Sequence, residues 1–118
     1  MKYAGLRVLL VAEFGGKGNV ASVVEAVGRN PWYFPSIGEY ASVLESCGLE
    51  VTLAALFDRP TPVEGANGIR EWLRMFYQPP LPESLVAEVE AKLCPVLFRQ
   101  GAWHMDYRRL RIVARRPA

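Results

Sequence analysis

Apolar positions along this chain change period several times, and each change marks a predicted element. From Leu6 to Phe14 the sequence is apolar almost without interruption, the pattern of a strand in a sheet covered on both faces. Val20, Val23, Val24 and Val27 then recur at helical spacing between Asn19, a predicted N-cap, and Gly28, a predicted stop. A second helical stripe follows in Ile37, Tyr40, Ala41, Leu44 and Cys47. Ser36 and Glu39 have the spacing of a capping box, in which the serine hydroxyl accepts from the third-residue amide and the glutamate reaches back to the cap amide. Gly48 supplies the left-handed residue that ends the helix. Val51 to Phe57 is an apolar, β-compatible run bounded by Asp58, Pro60 and Pro62.

The second half repeats the logic. Ile69, Trp72, Leu73 and Phe76 predict a third helix, closed by Gln78-Pro79-Pro80. Pro82 opens a fourth, with Leu85, Val86, Val89 and Leu93 on one stripe, which Pro95 is expected to end or kink. A last strand from about Met105 to Ala114 contains Leu110, Ile112 and Val113.

A length of 118 residues bounds one domain, and 51% hydrophobic content supplies a core. The net charge of +2 gives no global field that would favour nucleic acid or an acidic membrane. Arg108, Arg109, Arg111, Arg115 and Arg116 make the C-terminal strand locally basic, but RNA-binding sheets pair such charge with exposed aromatics and a basic overall balance. Solvated strand positions are therefore expected, and no nucleic-acid partner. Met1-Lys2 with the apolar run to Ala12 has the outline of a signal peptide, yet Arg7 interrupts it and no small-residue cleavage site precedes Glu13. The run is too short to span a bilayer. A cytoplasmic protein without membrane contact is expected, with Cys47 and Cys94, which lack CxxC spacing, as buried thiols.

Chemistry-bearing motifs are few. Gly15-Gly16-Lys17-Gly18 lies between a strand and a helix but lacks the spacing of a dinucleotide or P-loop cradle, so it reads as a turn into the Asn19 cap. His104 is the one histidine, and no metal site is expected around it. No serine or cysteine has a recognisable base partner.

Several short motifs nevertheless occur in a telling order: Glu13-Phe14-Gly15-Gly16-Lys17-Gly18-Asn19, Pro35-Ser36-x-x-Glu39-Tyr40, Gly48-Leu49-Glu50-Val51, Arg59-Pro60-Thr61-Pro62, and Gly65-x-x-Gly68-x-x-Glu71-Trp72-Leu73-x-x-Phe76. From about Leu6 to Ala114 the chain resembles the C-terminal half of class I S-adenosylmethionine-dependent methyltransferases of the trans-aconitate methyltransferase group. The resemblance implies an α/β fold: the C-terminal part of a Rossmann-like sheet in strand order 5-7-6, the last strand antiparallel between its neighbours. It further implies two crossover helices on that sheet, within a single domain over 1–118 that carries a helical, lid-like insertion over 65–100.

The same resemblance sets functional expectations. Complete enzymes of the family use S-adenosylmethionine, held by a Gly-rich turn after the first strand and an acidic residue ending the second; both are missing here, so the chain alone is expected to bind no cofactor and to be inactive. The substrate class implied is a small molecule, with O-methylation of a carboxylic acid as the leading case. Substrate-side residues would be Trp32 and Tyr33 on the loop after the first helix, with Trp72, Arg74 and Phe76 on the helix over the active-site mouth. Catalytic residues are not identifiable, since methyl transfer depends mainly on in-line positioning. Trp72 and Phe76 also fit a plain core reading, because they share one apolar helix face. The strand from Leu6 to Phe14 would be left an edge, which a second copy or a missing N-terminal half would pair with. The alternative function is a non-enzymatic dimerising or small-acid-binding module.

Overall fold

The computed structural model describes residues 9–64 and 67–117. In chain order the elements are β1 (Leu9–Gly15), α1 (Ala21–Val27), α2 (Ile37–Ser46), β2 (Glu50–Asp58), β3 (Thr61–Val63), α3 (Gly68–Phe76), α4 (Glu83–Leu97), β4 (Phe98–Arg99), β5 (Ala102–Met105) and β6 (Arg108–Arg115). They form two compact units. The first takes the segment ending at Asn19, Phe34–Asp58 and the chain from Arg108; the second takes Val20–Tyr33 and Arg59–Tyr107.

The first unit is a three-stranded sheet in the order β1-β6-β2, with β6 antiparallel to both neighbours. This is the inserted last strand expected of the 5-7-6 arrangement. Register explains the layering. Leu10, Ala114 and Val51 stand opposite one another, as do Ala12, Ile112 and Ala54, and alternation sends both rows to one face. There they meet Leu44, Tyr40 and Ala41 of α2, with Ile112 and Ala114 fully buried. The Phe14 ring packs edge-on against Tyr40 at 4.8 Å.

The start of α2 bears out the capping box: the Ser36 amide donates to Glu39 Oε1 at 3.0 Å and the Glu39 amide donates to Ser36 Oγ at 3.1 Å. The carboxyl of Glu39 is held below its ordinary range, first by the Ser36 amide it accepts and then by the Ser36 side chain. At the other end Gly48 takes the left-handed conformation. The opposite face of the sheet carries Val11, Val113 and Leu53 in one row, and Leu9 and Val11 are each 64% exposed. The long apolar run was expected to mark cover on both faces; among the described residues α2 covers one. Residues 6–8 of that predicted strand lie outside the described residues.

The second unit corrects further expectations. Helix α1, anticipated as a crossover helix on the large sheet, packs with α4. Its N-terminus is not capped by Asn19, whose Oδ1 instead accepts from the Arg108 amide at 2.6 Å within the first unit. The cap position is Val20, in a left-handed conformation (φ 46°) with no capping side chain of its own. Asp106 serves in its place: its Oδ2 accepts from the Ser22 amide at 3.0 Å and the Ser22 hydroxyl at 2.7 Å, and its carbonyl accepts from the Val20 amide.

The single last strand expected from Met105 to Ala114 is two strands. Asp106 and Tyr107 make a corner between them, tied by a 2.8 Å bond from the Tyr107 amide to the Met105 carbonyl. Strand β5 lies at the centre of a second small sheet, β3-β5-β4, where Pro62 stands opposite His104 in spite of its missing donor. A proline is tolerated there because β3 is an edge. Helix α4 continues through Pro95 to Leu97, since only one internal bond is lost so close to the end and Leu93 and Leu97 are both buried there. Both cysteines are exposed rather than buried: Cys47 caps α2 after its last turn, and Cys94 sits one residue off the buried Val86-Val89-Leu93 stripe. Among the described residues no helix is long and apolar enough to cross a membrane.

Candidate functional site

Helix α3 has one strongly apolar face, and its aromatic part gathers the predicted residues. Trp72 and Phe76 are four apart and therefore stack on the same side, with ring centroids 4.9 Å apart. Trp32 reaches them from the loop after α1, meeting Trp72 edge-on at 5.9 Å and Tyr77 at 4.8 Å. An Asx-type bond from the Trp32 amide to Asn30 Oδ1 at 3.0 Å fixes that loop. Trp72 and Tyr77 form a buried floor, while Phe76 is 44% and Tyr33 64% exposed. The core reading holds for Trp72, whereas Phe76 lies at a rim.

Three residues of this cluster were not anticipated. Tyr77 follows the helix, fully buried, with its hydroxyl donating to the Arg29 carbonyl at 2.9 Å. Burial pushes its phenol above the ordinary value, an effect the Arg29 charge partly offsets. Arg29 lies over the Tyr77 ring at 5.4 Å and donates to the Pro79 carbonyl at 3.2 Å. Tyr107, at the corner before β6, accepts from Trp72 Nε1 at 2.8 Å. The only signal in the sequence was aromatic composition, because these residues are far from one another in the chain.

Arg74 is placed elsewhere. It lies two residues after Trp72, on the other side of the helix, pairs with Glu71 at 3.0 Å, and is 58% exposed. With Leu73, Pro80, Leu81, Glu83 and Val86 it lines a surface pocket of about 330 Å³. The guanidinium beside the aromatic cluster is that of Arg29.

The glycine turn has a structural explanation. A β-carbon at Gly15 would lie 2.8 Å from the Phe34 ring, and one at Gly16 would lie 2.5 Å from the Leu56 side chain. Phe34 and Leu56 therefore already occupy the space beside these two glycines, and this close approach accounts for the lack of a side chain at either position. His104 is half-buried with Nδ1 3.1 Å from the Ala102 carbonyl, and among the described residues no group of three His, Cys, Asp or Glu is placed to hold a metal. The basic C-terminal strand is balanced across the sheet: Arg109 and Arg111 pair with Glu13 at 3.6 and 2.7 Å, Arg115 with Glu50 at 2.8 Å, and Arg108 with Asp58 at 3.2 Å.

No family model matches the chain. A Schizosaccharomyces pombe protein named as an uncharacterized methyltransferase is 32% identical over 126 aligned positions, which cover 88% of this chain and 48% of that protein. Among solved structures, a methyltransferase candidate from Bacillus halodurans C-125 aligns over 95% of this chain and 52% of its own, at 14% identity and a TM-score of 0.44. The chain thus spans about half the length of the curated relative it matches. With the ordered motifs and the inserted antiparallel last strand already described, that relationship places it among the methyltransferases, as a fragment-length member of the group.

Proposed function

We propose that this chain forms the acceptor-side wall of an S-adenosylmethionine-dependent methyltransferase acting on a small carboxylic acid. The observation that carries this reading is the cluster in which Trp32 bridges Trp72 and Tyr77 while Phe76 and Tyr33 stay exposed at its edge. An apolar floor with a few polar groups is what a small-ligand site requires. Arg29 supplies a cation beside it. The methyl donor is assigned to sequence beyond this chain or to a second polypeptide, and the α3–α4 region to a lid over the acceptor, in a cytoplasmic setting. Titrating the chain with trans-aconitate should quench tryptophan fluorescence saturably, and Trp32→Ala should remove the response. S-adenosylmethionine alone should give no heat in calorimetry; micromolar binding would show a donor site that the glycine turn does not suggest.

A second reading, a dimerising module, is favoured by the exposed Leu9 and Val11 on a strand whose described ladder runs only to β6. Such an edge is a template for another strand, either from a second copy or from a preceding half. Sedimentation should show association that Val11→Glu weakens. A monomer at high concentration would remove this reading.

A further inference from the structure

Within the aromatic cluster the Tyr107 hydroxyl accepts a hydrogen bond and donates none among the described residues. An indole N–H is a donor only, so at 2.8 Å from Trp72 Nε1 the Tyr107 hydroxyl must be the acceptor. Its own proton is left over, and no other hydrogen bond involves this side chain among the described residues. The buried Tyr77 hydroxyl differs, since its proton goes to the Arg29 carbonyl. Tyr107 as a residue is half-buried.

The group is also held in place before any ligand arrives. Its amide donates to the Met105 carbonyl at 2.8 Å and its carbonyl accepts from the Arg59 amide at 2.7 Å, which fixes the corner. Trp72 is itself wedged between Trp32 and Phe76. A hydroxyl that already accepts a bond is polarised and donates more strongly, and donation to an ionised acceptor is roughly twice as strong as to a neutral one. A Trp72-to-Tyr107 pair is therefore suited to an anionic oxygen.

We propose that Tyr107 is an acceptor-binding residue whose hydroxyl donates to a carboxylate oxygen of the ligand over the Trp32–Trp72–Phe76 surface. This rests on the acceptor-wall reading above and names the group that fixes the acid there. The direct role and a structural one differ in what they discriminate. Loss of a donor to an anion weakens the acid alone; loosening of Trp72 weakens every ligand of the aromatic surface.

The test is a pair of fluorescence titrations of the 118-residue chain, with trans-aconitate and with its trimethyl ester, on the natural sequence and on Tyr107→Phe. Tyr107→Phe should lower affinity for the acid about tenfold or more and leave the ester within about twofold. Equal losses for acid and ester, or no loss for either, would overturn the proposal while the acceptor-wall reading stands. Failure of the natural chain to bind the acid would overturn both. If Tyr107→Phe does not fold, tyrosine ¹³Cζ resonances of the natural chain decide: a shift at Tyr107 on adding the acid, larger than with the ester, supports the donor role, and an unmoved resonance refutes it.

Discussion

Asp106→Ala should destabilise the second unit by about 1–2 kcal/mol, because this carboxylate caps a helix 84 residues away in sequence. Helix α1 is seven residues long and receives no capping bond from its own N-cap residue. Both bonds from Ser22 to Asp106 Oδ2 would go, and bonds to a charged acceptor contribute about 1.5–3 kcal/mol. A term of opposite sign reduces the loss: Asp106 Oδ1 is buried without a partner, and removing an unsatisfied group recovers part of its desolvation cost. The melting temperature should fall by roughly 4–10 °C on the size scaling for a domain of this length. Trp32, Trp72 and Trp103 all lie in the second unit, so tryptophan fluorescence in a urea titration reads that unit specifically. Ser22→Ala and the double variant complete a cycle whose coupling should be about 1 kcal/mol. A loss below about 0.5 kcal/mol with no coupling would show that α1 is held by its packing on α4 and not by Asp106.

Other substitutions test separate parts of the fold. Ile112→Ala empties a fully buried position at the centre of the sheet and should cost about 2–5 kcal/mol by denaturant unfolding followed by far-ultraviolet circular dichroism. Gly16→Ala forces a β-carbon against Leu56 and Leu110 and should destabilise by about 1–3 kcal/mol in the same assay. Acidification should unravel the first turn of α2: the Glu39 carboxyl is depressed in the fold, so its contribution is present at neutral pH and is lost as pH falls through that lowered value. Amide exchange at Glu39 and Tyr40 should rise accordingly, and Glu39→Gln should remove the pH dependence. Tyr77 is raised by burial, so the fold binds this proton more tightly than the unfolded chain does. Stability should be intact below about pH 10 and decline as pH rises through the folded value, a slope that Tyr77→Phe abolishes.

Local chemistry made much of this fold legible. The Ser36–Glu39 spacing, Gly48 and the apolar run after it define α2 and β2 because a cap, a left-handed glycine and a run of β-compatible apolar residues each act within a few residues. The stripes of α3 and α4 likewise report which helix face is buried. The central antiparallel place of β6 was implied by the resemblance to methyltransferases, and its Ile112 and Ala114 form the buried row that this place demands.

What the sequence left open are the partners of those faces. An apolar period says that a face is buried and not what buries it, so α1 was expected on the large sheet and packs with α4. Asn19 has the chemistry of a cap, but a chain-reversed strand brings the Arg108 amide to it and leaves Asp106 to start the helix. Trp32 and Phe76 could be named as binding candidates from sequence alone, whereas Arg29, Tyr77 and Tyr107 join them only through contacts between segments far apart in the chain. The sequence by itself thus determined the four helices, the cap of α2 and the aromatic material of the site. Tertiary structure decided which cation and which hydroxyl stand beside those rings, because a bond between residues 35 to 84 positions apart depends on how whole elements pack and leaves no local periodicity to read.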